Sequence, residues 1–106
     1  MRFEFATSTR ILFGPGEVRA VAPAAKQMGR QALLVLGRSA ESAAFLVEAL
    51  KLEGIGSVSW PIQAEPSVSL VRQGAELARQ EQCDLVIAFG GGSAIDAGKA
   101  IAALLT

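Results

Sequence analysis

The chain has 106 residues, 51% hydrophobic and 19% charged, with ten basic residues balancing ten acidic ones for a formal net charge of zero. That length holds one small domain, and that composition is globular rather than disordered. No two Lys or Arg residues are adjacent and no apolar stretch approaches the ~20 residues that cross a bilayer, so neither nucleic acid nor membrane is an expected partner.

The amino terminus alternates like a strand and lacks the charged region and apolar core of a signal peptide, which makes the cytoplasm the expected compartment. The single cysteine, Cys83, has no internal disulfide partner and reads as a small buried or half-buried residue, in keeping with a reducing compartment. Histidine is absent, so the commonest metal ligand and the commonest general base at neutral pH are both missing.

In chain order, residues 2–6 and 10–14 are short aromatic and branched runs separated by Thr7-Ser8-Thr9, expected as a strand pair or bent ribbon ahead of the main fold. Gly14-Pro15-Gly16 marks a turn, and Val18, Val21, Ala22 and Ala25 are spaced for a helix over 17–28. Pro23 disfavours the middle of that helix and allows a restart there, and Gly29 closes it.

A strand-helix unit then repeats three times: strand 32–36 with helix 40–53, strand 57–61 with helix 67–81, and strand 85–89 with helix 93–105. Such alternation predicts an α/β fold with a parallel sheet covered by helices on both faces. The first and last of these strands are continuously apolar, as strands buried on both faces should be. In 57–61, Val58 and Trp60 alternate with serines, which suits a place nearer the sheet edge. The matching helical stripes are Ala43, Leu46, Val47 and Leu50, then Val71, Gly74, Ala75 and Ala78. The last helical pattern runs to Thr106 without a stop signal, so the chain is expected to be the front part of something longer.

The segment Gly90-Gly91-Gly92-Ser93-Ala94-Ile95-Asp96-Ala97-Gly98-Lys99 carries the clearest chemistry. It follows the apolar run ending at Phe89, so a buried strand leads through a glycine turn into a helix. Glycines let a ligand approach the backbone, and the N–H groups and positive dipole end of a helix's first turn favour an anion, which makes this a candidate phosphate cradle. At about 100° per residue, Ser93, Asp96 and Lys99 share one arc, while Ile95, Ile101, Ala102 and Leu105 fall opposite. A purely structural reading also fits: Ser93 with Asp96 has capping-box spacing, and Asp96 with Lys99 is a favourable helix pair. The segment is not the G-x-G-x-x-G fingerprint of dinucleotide folds, and it follows a late strand instead of the first.

These residues resemble the iron-containing, or group III, alcohol dehydrogenases, whose signature G-G-G-S-x-x-D-x-x-K is matched completely by Gly90 to Lys99. Ile11-Leu12-Phe13-Gly14-Pro15-Gly16 is similar to the family's opening turn, and Glu65-Pro66-Ser67 to its Asn-Pro-Thr segment. The resemblance implies that residues 1–106 form a Rossmann-like, dehydroquinate synthase-like amino-terminal domain that binds NAD or NADP. A helical carboxy-terminal domain, absent here, would hold a divalent metal, iron or zinc. By similarity Gly91, Gly92 and Ser93 would contact the diphosphate, Asp96 would lie near the ribose and nicotinamide, and Lys99 would support the site. By the same similarity Glu65 would fall beside the cofactor, with Glu in place of the family's usual amide.

At the end of the first repeated strand many relatives place an aspartate on the adenosine 2'-hydroxyl, whereas this chain reads Leu36-Gly37-Arg38-Ser39. Without a carboxylate to repel it, a 2'-phosphate can be received by Arg38 and Ser39, which favours NADP. The alternative is that Gly37 turns the chain, Ser39 caps the next helix and Arg38 faces water.

The expected activity of the full-length protein is hydride transfer between the nicotinamide and an alcohol, aldehyde or ketone. These residues alone, with no catalytic or metal-binding group among them, should be inactive. A maleylacetate reductase of the same superfamily and a stand-alone dinucleotide-binding regulatory module are the alternatives. The leading strands, if an edge is left open, suggest a homodimer.

Overall fold

The computed structural model describes residues 10–13, 18–37, 40–62, 66–89 and 92–105. In chain order the elements are β1 (Arg10–Phe13), α1 (Val18–Lys26), β2 (Gln31–Leu36), α2 (Ala40–Leu52), β3 (Gly56–Pro61), α3 (Val68–Gln80), β4 (Leu85–Phe89) and α4 (Gly92–Leu104). Among the described residues the strands form one parallel sheet in the order β1-β4-β2-β3. The three repeated units fall where the sequence predicts them, with ends displaced by no more than one residue. The run at 10–14 is also a strand, but in space it belongs to the sheet, Arg10 lying opposite Leu85 of β4. Local pattern could not reveal a partner so distant in the chain. The run at 2–6 and the turn at Gly14-Pro15-Gly16 lie outside the described residues.

Side chains of a strand point alternately to opposite faces, so a central strand under two helical layers must be apolar throughout. In β2, Leu33 and Val35 face one layer and Ala32, Leu34 and Leu36 the other; in β4, Val86 and Ala88 join the first set and Leu85 and Ile87 the second. Val21, Ala22 and Ala25 of α1 and Leu46 and Leu50 of α2 close one core. Val71, Ala75 and Ala78 of α3 and Ala94, Ala97, Ile101 and Ala102 of α4 close the other. β3 is an edge strand, with Val58 and Trp60 packed against the α3/α4 core and Ser59 exposed. α1 runs through Pro23 without a restart, because the proline is on the exposed side while its buried neighbours hold the helix to the sheet.

Two helix ends use the same chain reversal. After α2, Ile55 N–H donates to Leu50 C=O at 2.9 Å and Gly54 N–H to Lys51 C=O at 2.9 Å, with Gly54 at φ +79°. After α3, Cys83 N–H donates to Ala78 C=O at 2.8 Å and Gln82 N–H to Arg79 C=O at 3.1 Å, with Gln82 at φ 56°. Both are Schellman motifs, which place one residue in the left-handed region that glycine adopts without strain. The second spends a glutamine there. Replacing Gln82 with glycine should therefore raise stability by about 0.5–1 kcal/mol, read as a higher urea midpoint with unchanged m-value.

A side-chain clamp joins the starts of β2 and β4. Asp84 accepts from Arg30 N–H at 3.0 and 3.1 Å through its two oxygens, and from Gln31 N–H at 3.0 Å. Its own N–H donates to Gln31 C=O at 3.0 Å. Gly29 makes room for this: a Cβ there would lie 2.9 Å from the Asp84 carboxyl carbon and closer still to Oδ1. Asp84→Ala and Gly29→Ala should each cost about 1–2 kcal/mol, since both release the same N–H groups. Urea unfolding of the double variant should give less than the sum of the two, whereas strict additivity would show that they act separately.

Candidate functional site

A crevice arises from the order of the strands. β2 and β4 are parallel neighbours with Leu36 opposite Phe89, so the chain leaves both at the same end of the sheet. From β2 it turns toward α2 in one layer, and from β4 into α4 in the other. Diverging connections between adjacent parallel strands open a gap at their carboxyl ends, the place where open α/β sheets bind ligands.

Several sequence-predicted residues meet at this end. Gly37 directly follows β2, and α4 opens at Gly92 with Ser93 half-buried in its first turn. Asp96 is exposed one turn further on, about 4.5 Å along the axis from Ser93, and Lys99 is exposed about 9 Å along it. The opposite face of α4 packs on the sheet through Ala94, Ala97, Gly98, Ile101 and Ala102. The polar arc expected from the sequence is thus the arc turned away from the core, with Ile95 at the boundary. Because α4 begins at Gly92, Ser93 lies in the first turn of the helix, not ahead of it. Arg38, Ser39, Glu65 and Gly91 lie outside the described residues.

Gly92 stands in unusual surroundings. A Cβ built on it meets nothing within 4 Å, and its φ is not in the left-handed region. Among the described residues neither packing nor backbone conformation calls for glycine there. Open space above the first turn of a helix suits a ligand that approaches the backbone itself.

The neighbouring side of α4 borders a feature that the sequence did not disclose. A pocket of about 460 Å³ lies between α3 and α4, lined in part by Ser67, Val68, Arg72, Asp96, Ala100 and Leu104. Ser67 caps α3, its Oγ accepting from Leu70 N–H at 3.1 Å, which fixes the position of that helix's first turn. Arg72 is an outward residue whose sequence pattern is that of any solvated helix face, so only the packing of α3 on α4 brings it to the same pocket as Asp96. Arg79 ties the far ends of the two helices, its Nη2 donating to Leu104 C=O at 2.7 Å.

With no histidine in the chain, and no group of three His, Cys, Asp or Glu side chains converging among the described residues, these residues do not fit a metal centre.

A family model described as iron-containing alcohol dehydrogenase matches residues 8–106. The chain belongs to the iron-containing alcohol dehydrogenase family. It is 31% identical over 108 residues to the NADH-dependent butanol dehydrogenase A of Clostridium acetobutylicum, covering 97% of this chain and 28% of that protein. To the probable alcohol dehydrogenase EutG of Escherichia coli it is 38% identical over 100 residues, covering 90% of this chain and 25% of that one. Among solved structures, the archaeal halo-thermophilic alcohol dehydrogenase ADH/D1 from a Red Sea brine pool superposes with TM-score 0.79 at 35% identity, covering 99% of this chain and 28% of that one. The Thermotoga maritima NADH-dependent butanol dehydrogenase A gives TM-score 0.72 at 30% identity, covering 97% and 28%. This member of the iron-containing alcohol dehydrogenase family thus spans about a quarter of the length of the relatives it matches.

Cys83 precedes β4, at the end of the strand opposite the crevice. Half-burial, and then the charges of Glu81 and Asp84, push its thiol up from 9.0 to about 11. A thiol that holds its proton at neutral pH is inert toward electrophiles. In the folded chain Ellman's reagent should react at pH 8 roughly ten-fold or more slowly than in urea, with the rate climbing toward pH 11. Because the folded state holds this proton more tightly than the unfolded one, the thiol's contribution to stability is complete below pH 9 and is lost as pH rises to about 11. Equal rates in the two states would refute the shift.

Proposed function

We propose that this chain is the dinucleotide-binding domain of an NAD(P)-dependent alcohol dehydrogenase, and that the whole protein transfers hydride between the nicotinamide and an alcohol, aldehyde or ketone. The observation that carries this reading is a helix that opens at Gly92, with open space above that residue, at the crevice between β2 and β4. The first turn of α4 would receive the diphosphate through backbone N–H groups of Gly91 and Gly92 and through Ser93. Asp96, exposed one turn on, would face the ribose and nicotinamide, with Lys99 behind it. Glu65, preceding Pro66 and Ser67 in the sequence, matches by similarity to the family a position beside the cofactor. When bound, the nicotinamide supplies the hydride chemistry, and these residues bind and orient it.

The divalent metal expected of the family, iron or zinc, would have its ligands outside these 106 residues, so the fragment alone would not turn over substrate. The relatives' names speak of NADH. In this chain the connection after β2 reads Gly37-Arg38-Ser39, with no carboxylate to repel a 2'-phosphate, which supports acceptance of NADP and a preference for it. A cytoplasmic location agrees with this chemistry.

Calorimetry with NADH and NADPH tests the reading. The native chain should bind both, NADPH more tightly, and Arg38→Ala should erase the difference. Gly92→Ala should leave the fold as stable or slightly more stable, by no more than about 0.5 kcal/mol at this first helical position, yet weaken dinucleotide binding. Gly92→Val should lower affinity by about ten-fold or more with an unchanged circular dichroism spectrum. Binding to neither dinucleotide, or binding indifferent to Gly92→Val, would overturn the proposal.

The homodimer expected from the leading strands gains support from β1, whose outer edge is paired with no other strand among the described residues. Light scattering on the chain should give twice the monomer mass, and a monodisperse monomer would refute association through this domain.

A further inference from the structure

We draw no further inference here: the strongest candidate, the apolar groove between α3 and α4 lined by Val68, Val71, Ala100, Ala103 and Leu104, is an unpartnered helix face, and nothing in the structure shows what covers it.

Discussion

The parallel pairing of β2 with β4 is the constraint on which the rest of the molecule depends. It sets Leu33 beside Val86, Leu34 beside Ile87 and Val35 beside Ala88, all almost fully shielded from solvent. Each large aliphatic side chain buried there contributes about 1.5–3 kcal/mol, more than any single cap or ion pair in the structure. The same pairing decides where a ligand can go. The chain steps outward from β2 to β3 and then reverses back over β2 to reach β4, so the helices that follow β2 and β4 cover opposite faces. Core and crevice are two consequences of one strand order.

Small residues set how closely the helices lie. The buried positions of α4 are alanine and glycine except for Ile101, and those of α3 are alanine and glycine except for Val71. Gly74 marks the tightest point: a Cβ there would stand 2.5 Å from Ile101 Cδ1 and 3.1 Å from Trp60 Cζ3. β3, α3 and α4 therefore interlock through three side-chain positions, and Arg79 adds a hydrogen bond at the carboxyl end of α4. With the core face and far end of α4 fixed in this way, its amino-terminal turn is held at the crevice. Rigid support of this kind is what a binding site built on backbone N–H groups requires.

The sequence disclosed elements and faces because these rest on periodicity, which is local. All four buried positions of α3 were legible as a helical stripe, and the polar arc of α4 followed from its repeat angle. What was not legible rests on contacts between distant segments. The edge strand β1 needed its partner β4, the clamp of Asp84 on Arg30 and Gln31 needed two loops brought together, and Arg72 needed the crossing of α3 over α4. The start of α4 lies one residue earlier than the pattern indicated, which puts Ser93 inside its first turn. Glutamine at the left-handed position after α3 went unseen for a related reason: the turn is set by its hydrogen bonds, and a non-glycine residue there gives no signal.

The glycines separate fold from function more sharply than the charged residues do. Gly54 answers to backbone conformation, while Gly29 and Gly74 answer to space taken by Asp84 and by Ile101 with Trp60. Among the described residues Gly92 answers to none of these, although alanine is the better helix former, by about 0.5–1 kcal/mol in a helix interior and less in the first turn where Gly92 stands. Nothing described within the chain offsets that cost. A bound group lying against the backbone of the first turn would offset it, since a Cβ there would occupy the space that the group needs. The sign of the stability change at Gly92 therefore distinguishes a glycine kept for a ligand from one kept for the fold.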